Sequence, residues 1–283
     1  MFLRLLAFPF LMAVIGCLYL AWEVDRSYAI IILPLVLVLA LLYIFSPQVE
    51  WWRAQSHPPQ LDRGMRLLLE KYSIFYQSLD ERGREKFRNR VVWFIMAKEF
   101  HGQIMEQVPE DIKGVVAMNA VHLTFYQEDY LFKKFENIVI YAHPFPSPQY
   151  LEHWHTSEIH VEDGAILFSA EHLMPSFLNP QKYYNIGLHE FAKIQILTYS
   201  NFDYPTGETL SWEKIEAISG WTEEFVSAWI GLPNIELLPV TIVAYFTFPI
   251  DFQRKSSEVF NQLQAIFNKK NSPPLKERQT TSS

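Results

Sequence analysis

The sequence predicts an α+β protein: an N-terminal transmembrane helical hairpin, then a mostly helical domain with a small β-sheet. Three observations predict it. Two long apolar runs open the chain, at 5–22 and 29–45. A helical hydrophobic period then dominates to about residue 126 and returns after Pro180. Between them, from Asn137 to Ser169, the period shortens to that of strands.

The first run, 5–22, has 18 apolar or small positions and the second, 29–45, has 17, neither with a charge. Each is about the length that crosses a hydrocarbon core of roughly 30 Å as helix. The short polar link Glu23–Tyr28 lets the chain cross and return. Pro9 and Pro34 fall inside the runs, which membrane helices tolerate. Arg4 precedes the pair and Arg53, Arg63 and Arg66 follow it, whereas the link holds Arg26 beside two acids. The positive-inside rule therefore places both termini and the main domain in the cytoplasm, at a bacterial-type inner membrane. Trp51 and Trp52 fall where an interfacial aromatic belt is expected. Val14-Ile15-Gly16-Cys17 resembles a lipobox, but the residues after Cys17 stay apolar and a second run follows.

Residues 1–45 thus read as two transmembrane helices, 46–63 as a Pro-bearing linker, 64–268 as the main domain and 269–283 as a disordered polar tail. Within the domain, helical spacing runs over 64–105, with Asp80 as an N-cap, and over 111–126. Asn137–Ala142 reads as a strand ending in the breaker loop His143–Pro148. Glu158–Val161 and Ala165–Ser169, joined through Asp163-Gly164, read as a hairpin. Helices follow at 183–197, 208–230 and 235–268, with breaks near Gly220 and Pro249.

Composition bounds the chemistry. One cysteine among 283 residues excludes a disulfide framework and any multi-cysteine metal site. The formal net charge is −7, and because 1–45 is balanced and the tail carries +3, residues 46–268 carry −10. An acidic body argues against nucleic acid as a partner. No Ser-His-Asp signature or Gly-rich phosphate loop stands out.

The informative segment is Tyr183–Leu197, which carries His189-Glu190-Phe191-Ala192-Lys193. In H-E-x-x-H, two imidazoles one helical turn apart grip zinc, and the Glu acts as base on the zinc-bound water. Here Lys193 stands at the second His, and an ammonium has no lone pair for a metal. Lys193 lies three residues after Glu190, close enough on a helix for an ion pair.

Four blocks, in order and including part of this segment, resemble the Mlc titration factor A family of zinc-dependent peptidases. They are Leu79-Asp80-Glu81 leading to Phe94–Phe100; Ile138–Tyr141 followed by Pro144 and Phe145; Gly164–Ser169; and Asn185–Ala192. The resemblance implies a zincin-like fold and a third ligand, a Glu on a downstream helix. Glu236-Leu237-Leu238-Pro239-Val240 is similar to the start of that helix pattern and Tyr245–Pro249 to its end. Both ends place Val243 at the ligand position.

The resemblance therefore implies a vestigial site: His189 at a metal-ligand position, Glu190 at the general-base position, and Lys193 and Val243 where the other ligands belong. No cofactor is expected on this reading, and zinc only on its alternative, a working metallopeptidase whose ligands come from His153, His155 and His160. The expected partners are the membrane and a protein. The family includes a factor that binds a sugar-regulon repressor, so protein binding is within its range.

Overall fold

A computed structural model describes residues 2–46, 60–103 and 105–268. The expected linker (apart from its ends), Trp51, Trp52, Arg53 and the tail from 269 lie outside the described residues. The chain divides into two units, 1–59 and 60–283.

The first unit contains α1 (Phe2–Glu23), a 3-10 turn (Arg26–Tyr28) capped by the Asp25 carboxylate, and α2 (Ala29–Ile44). The two helices lie against each other. Arg26–Ile44 is long and apolar enough to cross a membrane, with a mean hydropathy of 2.7 and no buried residue. Ala7–Glu23 is apolar but shorter.

In the second unit three helices come first: α3 (Arg63–Tyr72), α4 (Ile74–Ser78) and α5 (Glu81–Met96). Asp80 caps α5, its carboxylate accepting from Gly83 N at 2.8 Å. The helical reading of 64–105 needs correction at its end. Glu99–Gly102 is strand β1, paired in parallel with Asn137–Ile140. A partner some forty residues away decides this, and local periodicity carries no trace of it.

Helix α6 (Glu110–Leu123) runs through the middle of the unit and is buried at nearly every position from Ile112 onward. A helix apolar on all sides belongs inside the core, and α6 packs on α3, α5, α7 (Ala170–Leu178) and α8 (Ile186–Thr198). The main sheet has the order β1-β2-β6-β5, with β2 (Asn137–Tyr141), β5 (Ser157–His160) and β6 (Ala165–Ser169). Strands β1, β2 and β6 are parallel, and β5 pairs antiparallel at the edge. β6 is buried along its whole length, as a central strand covered on both faces must be. The hairpin turn requires glycine at 164, where φ is +58° and a Cβ would sit 2.3 Å from the Lys134 carbonyl oxygen.

The breaker segment His143–Pro148 is also more ordered than its prolines suggest. Phe145–Ser147 forms β3, paired antiparallel with β4 (Tyr150–His155). Five further helices complete the unit: α9 (Trp212–Ser219), α10 (Glu223–Ile230), α11 (Leu237–Thr247), α12 (Pro249–Lys255) and α13 (Ser257–Phe267). The expected breaks fall at Gly220, which ends α9 with φ +76°, and at Pro249, which opens α12. Helix α7 was not expected.

Candidate functional site

Helix α8 is held by a polar anchor at its first turn. Asn185 is the N-cap, its side-chain oxygen accepting from Leu188 N at 3.0 Å. Its amide also donates to Asn119 Oδ1 on α6 at 2.9 Å. The helices approach so closely here that a Cβ on Gly187 would lie 2.4 Å from Asn119 Nδ2. This contact fixes the height of His189 and Glu190 above the core.

Both side chains are buried, His189 at 4% and Glu190 at 1% exposure. His189 Nδ1 is hydrogen-bonded to the Tyr184 hydroxyl at 2.7 Å, and Tyr184 is fully buried. Burial pushes the His189 pKa down to about 4, with nearby Glu190 opposing and Lys193 assisting, so the imidazole is neutral at pH 7. Burial raises the Tyr184 pKa well above its ordinary value, reinforced by Glu190, so the phenol keeps its proton.

Glu190 is held from two sides. The Ser157 hydroxyl on β5 donates to Oε1 at 2.7 Å. Lys193 Nζ lies 3.0 Å from Oε2. Burial works against a charged Glu190, but Lys193, His189 and the Ser157 bond outweigh it, and its pKa is lowered. Burial likewise disfavours charge on Lys193, and Glu190, with smaller contributions from Glu236 and Tyr150, reverses this to a raised pKa. The pair is therefore ionised on both sides across the neutral range. Lys193, whose side chain is 25% exposed, reaches the edge of the site rather than open water.

Val243 is fully buried on α11, which packs against α8. Glu236 is the exposed N-cap residue of α11. Among the described residues, no group of three His, Cys, Asp or Glu side chains is arranged to hold a metal ion.

The three histidines of the 153–160 segment do not converge. His153 is exposed, and its carbonyl is 3.0 Å from His155 Nδ1. His155 is fully buried, with Nε2 3.1 Å from Glu158 Oε2. His160 Nε2 approaches the same oxygen at 3.2 Å. Glu158 on the edge strand, at 2% exposure, gathers two of the imidazoles. His122 is half-buried, stacked on Phe75 and edge-on to Phe246.

Residue-type reasoning missed Ser157, Tyr184 and the Asn119–Asn185 pair. Asn185 carried a legible signal, an Asn directly before an apolar helix. Ser157 carried none, since it meets Glu190 across 33 positions of sequence.

A family profile described as glucose-regulated metallo-peptidase M90 matches residues 49–195. That range covers the early helices, the sheet and the His189–Lys193 segment. No curated protein matches the chain.

Proposed function

The chain belongs to the glucose-regulated metallo-peptidase M90 family, and from that premise we propose that its main domain is a degenerate member. On this reading it keeps the peptidase-like fold, holds no catalytic metal and acts by binding a protein or as a regulatory element. The observation that carries the proposal is the Lys193–Glu190 ion pair at 3.0 Å. A catalytic zinc takes three protein ligands and a water. Of the three positions, His189 alone offers a donor. Lys193 offers a cation, and Val243 offers a hydrocarbon in a fully buried position. The residues present do not fit the ion the family implies.

The base position is altered as well. Glu190 accepts from Ser157 through Oε1, and Lys193 beside Oε2 helps to hold its pKa below the usual carboxylate value, which makes it a weaker base than one poised near neutral pH. The alternative, a metallopeptidase with ligands from His153, His155 and His160, finds His153 turned outward and the other two gathered on Glu158.

The anchoring is part of the same proposal. The span 26–44 supports a membrane site. The apolar α1 beside α2 supports a two-span hairpin with both termini and the main domain cytoplasmic, as the arginine distribution requires. The acidic domain favours a protein partner over nucleic acid.

The test is metal stoichiometry. Full-length protein is purified, exposed to zinc and dialysed, and its metal content is measured. The expected result is no stoichiometric zinc and no peptide hydrolysis. One zinc per chain surviving dialysis, or hydrolysis that Glu190→Gln abolishes, overturns the proposal.

A further inference from the structure

Away from His189, the main domain contains a cavity of about 460 Å³ between the α3–α4 turn, α6, the start of α8 and the α11–α12 junction. Its size is that of a small-molecule site. The walls are aromatic, with Phe75, Phe177, Phe246 and Phe248 among them. Ile74 and Ile250, at 67% and 81% exposure, stand among its lining residues and open it to solvent through apolar side chains.

Two hydrogen-bonding groups in this wall have no protein partner among the described residues. The His122 ring stacks on Phe75 at 4.4 Å between centroids and meets Phe246 edge-on at 5.0 Å, without a hydrogen bond. The buried Thr247 hydroxyl likewise has no partner. A buried hydroxyl ordinarily finds a partner, and the unpartnered Thr247 hydroxyl with the half-buried His122 ring on one largely apolar cavity points to a ligand that supplies it.

We infer that this cavity binds a neutral, largely apolar small molecule carrying a hydroxyl or comparable group for His122 and Thr247. Charge selects against anions. No Lys or Arg is among the described residues that line the cavity, and its one carboxylate, Asp251, is paired with Arg254. Burial keeps His122 neutral, its pKa pushed down to about 3, so it presents one donor and one acceptor but no positive charge. An anionic ligand would be desolvated there without compensation. The cavity also touches Asn185 and Leu188, at the capped end of the helix that carries His189.

The experiment uses the full chain in lipid nanodiscs, with empty nanodiscs subtracted to remove partitioning into lipid. The probes are 2-naphthol, naphthalene and 2-naphthoate, which share one ring system and differ in the polar group. Saturable 2-naphthol binding is expected, with 2-naphthoate about tenfold weaker or worse because its charge is uncompensated. His122→Phe and Thr247→Val should each weaken 2-naphthol roughly three- to tenfold, the loss of one hydrogen bond, and leave naphthalene unchanged. Thr247→Val, nearly isosteric, serves if His122→Phe fails to fold. The inference is overturned if 2-naphthol uptake does not exceed that of empty nanodiscs, if 2-naphthoate binds as tightly, or if the folded variants bind 2-naphthol like the parent.

Discussion

Replacing Lys193 by Met removes the cation from Glu190 and leaves a carboxylate at 1% exposure with Ser157 as its remaining hydrogen-bond partner. Breaking a fully buried ion pair from one side costs about 3–5 kcal/mol. The lysine end of this pair is 25% exposed and reaches some water, so the expected cost is smaller, roughly 2 kcal/mol. With a urea dependence of about 2–3 kcal/mol per molar for a domain of this size, the midpoint should fall by roughly 0.7–1 M. The assay is urea unfolding of residues 46–283 followed by tryptophan fluorescence. Two companions give the number its meaning. Glu190→Gln should cost less than Lys193→Met, because the freed lysine can turn toward solvent whereas the freed carboxylate cannot. The double variant Lys193→Met with Glu190→Gln should recover most of the loss, since no uncompensated charge remains. If Lys193→Met costs no more than the double variant, Glu190 does not carry a buried charge that Lys193 neutralises, and the account of the site fails.

Three other outcomes follow from the same geometry. The double variant Lys193→His with Val243→Glu should take up one zinc per chain while each single variant holds it weakly or not at all, as read by metal content after dialysis; a folded double variant without zinc would show that the register onto Val243 is wrong. Stability should fall as pH drops from about 6.5 toward 4, because the unfolded chain takes up a proton that buried His189 refuses until about pH 4. His189 alone contributes on the order of 3 kcal/mol to that loss, and a His189→Gln variant whose acid denaturation matches the parent would contradict it. Residues 46–283 should fold without α1 and α2, since the second unit has its own continuous core; a truncated chain that stays aggregated without detergent and lacks cooperative unfolding would refute this.

The legible parts of the protein were those whose cause is local. The apolar run of membrane length before residue 45, the Asp80 cap, the Asp163-Gly164 turn and the break at Gly220 each express a rule confined to a few neighbouring residues. His189, Glu190 and Lys193 were legible as a set, because helical spacing alone brings Lys193 within reach of Glu190. What the tertiary structure decided are the contacts between distant segments. Glu99–Gly102 continues a helical pattern in sequence but becomes a strand because Asn137–Ile140 offers a parallel ladder. Ser157 becomes the partner of Glu190 because the edge strand passes over α8. His155 and His160 are drawn to Glu158 rather than to each other, as the demand of a buried carboxylate for donors outweighs any pattern along the strand. His122 and Thr247, unremarkable as letters, line one cavity because α6 and the end of α11 both border it. Sequence alone put His189, Glu190 and Lys193 on one helix. Packing decided that its carboxylate is shared between a serine and a lysine, since which groups face one another in a buried site depends on elements that meet only after the chain has folded.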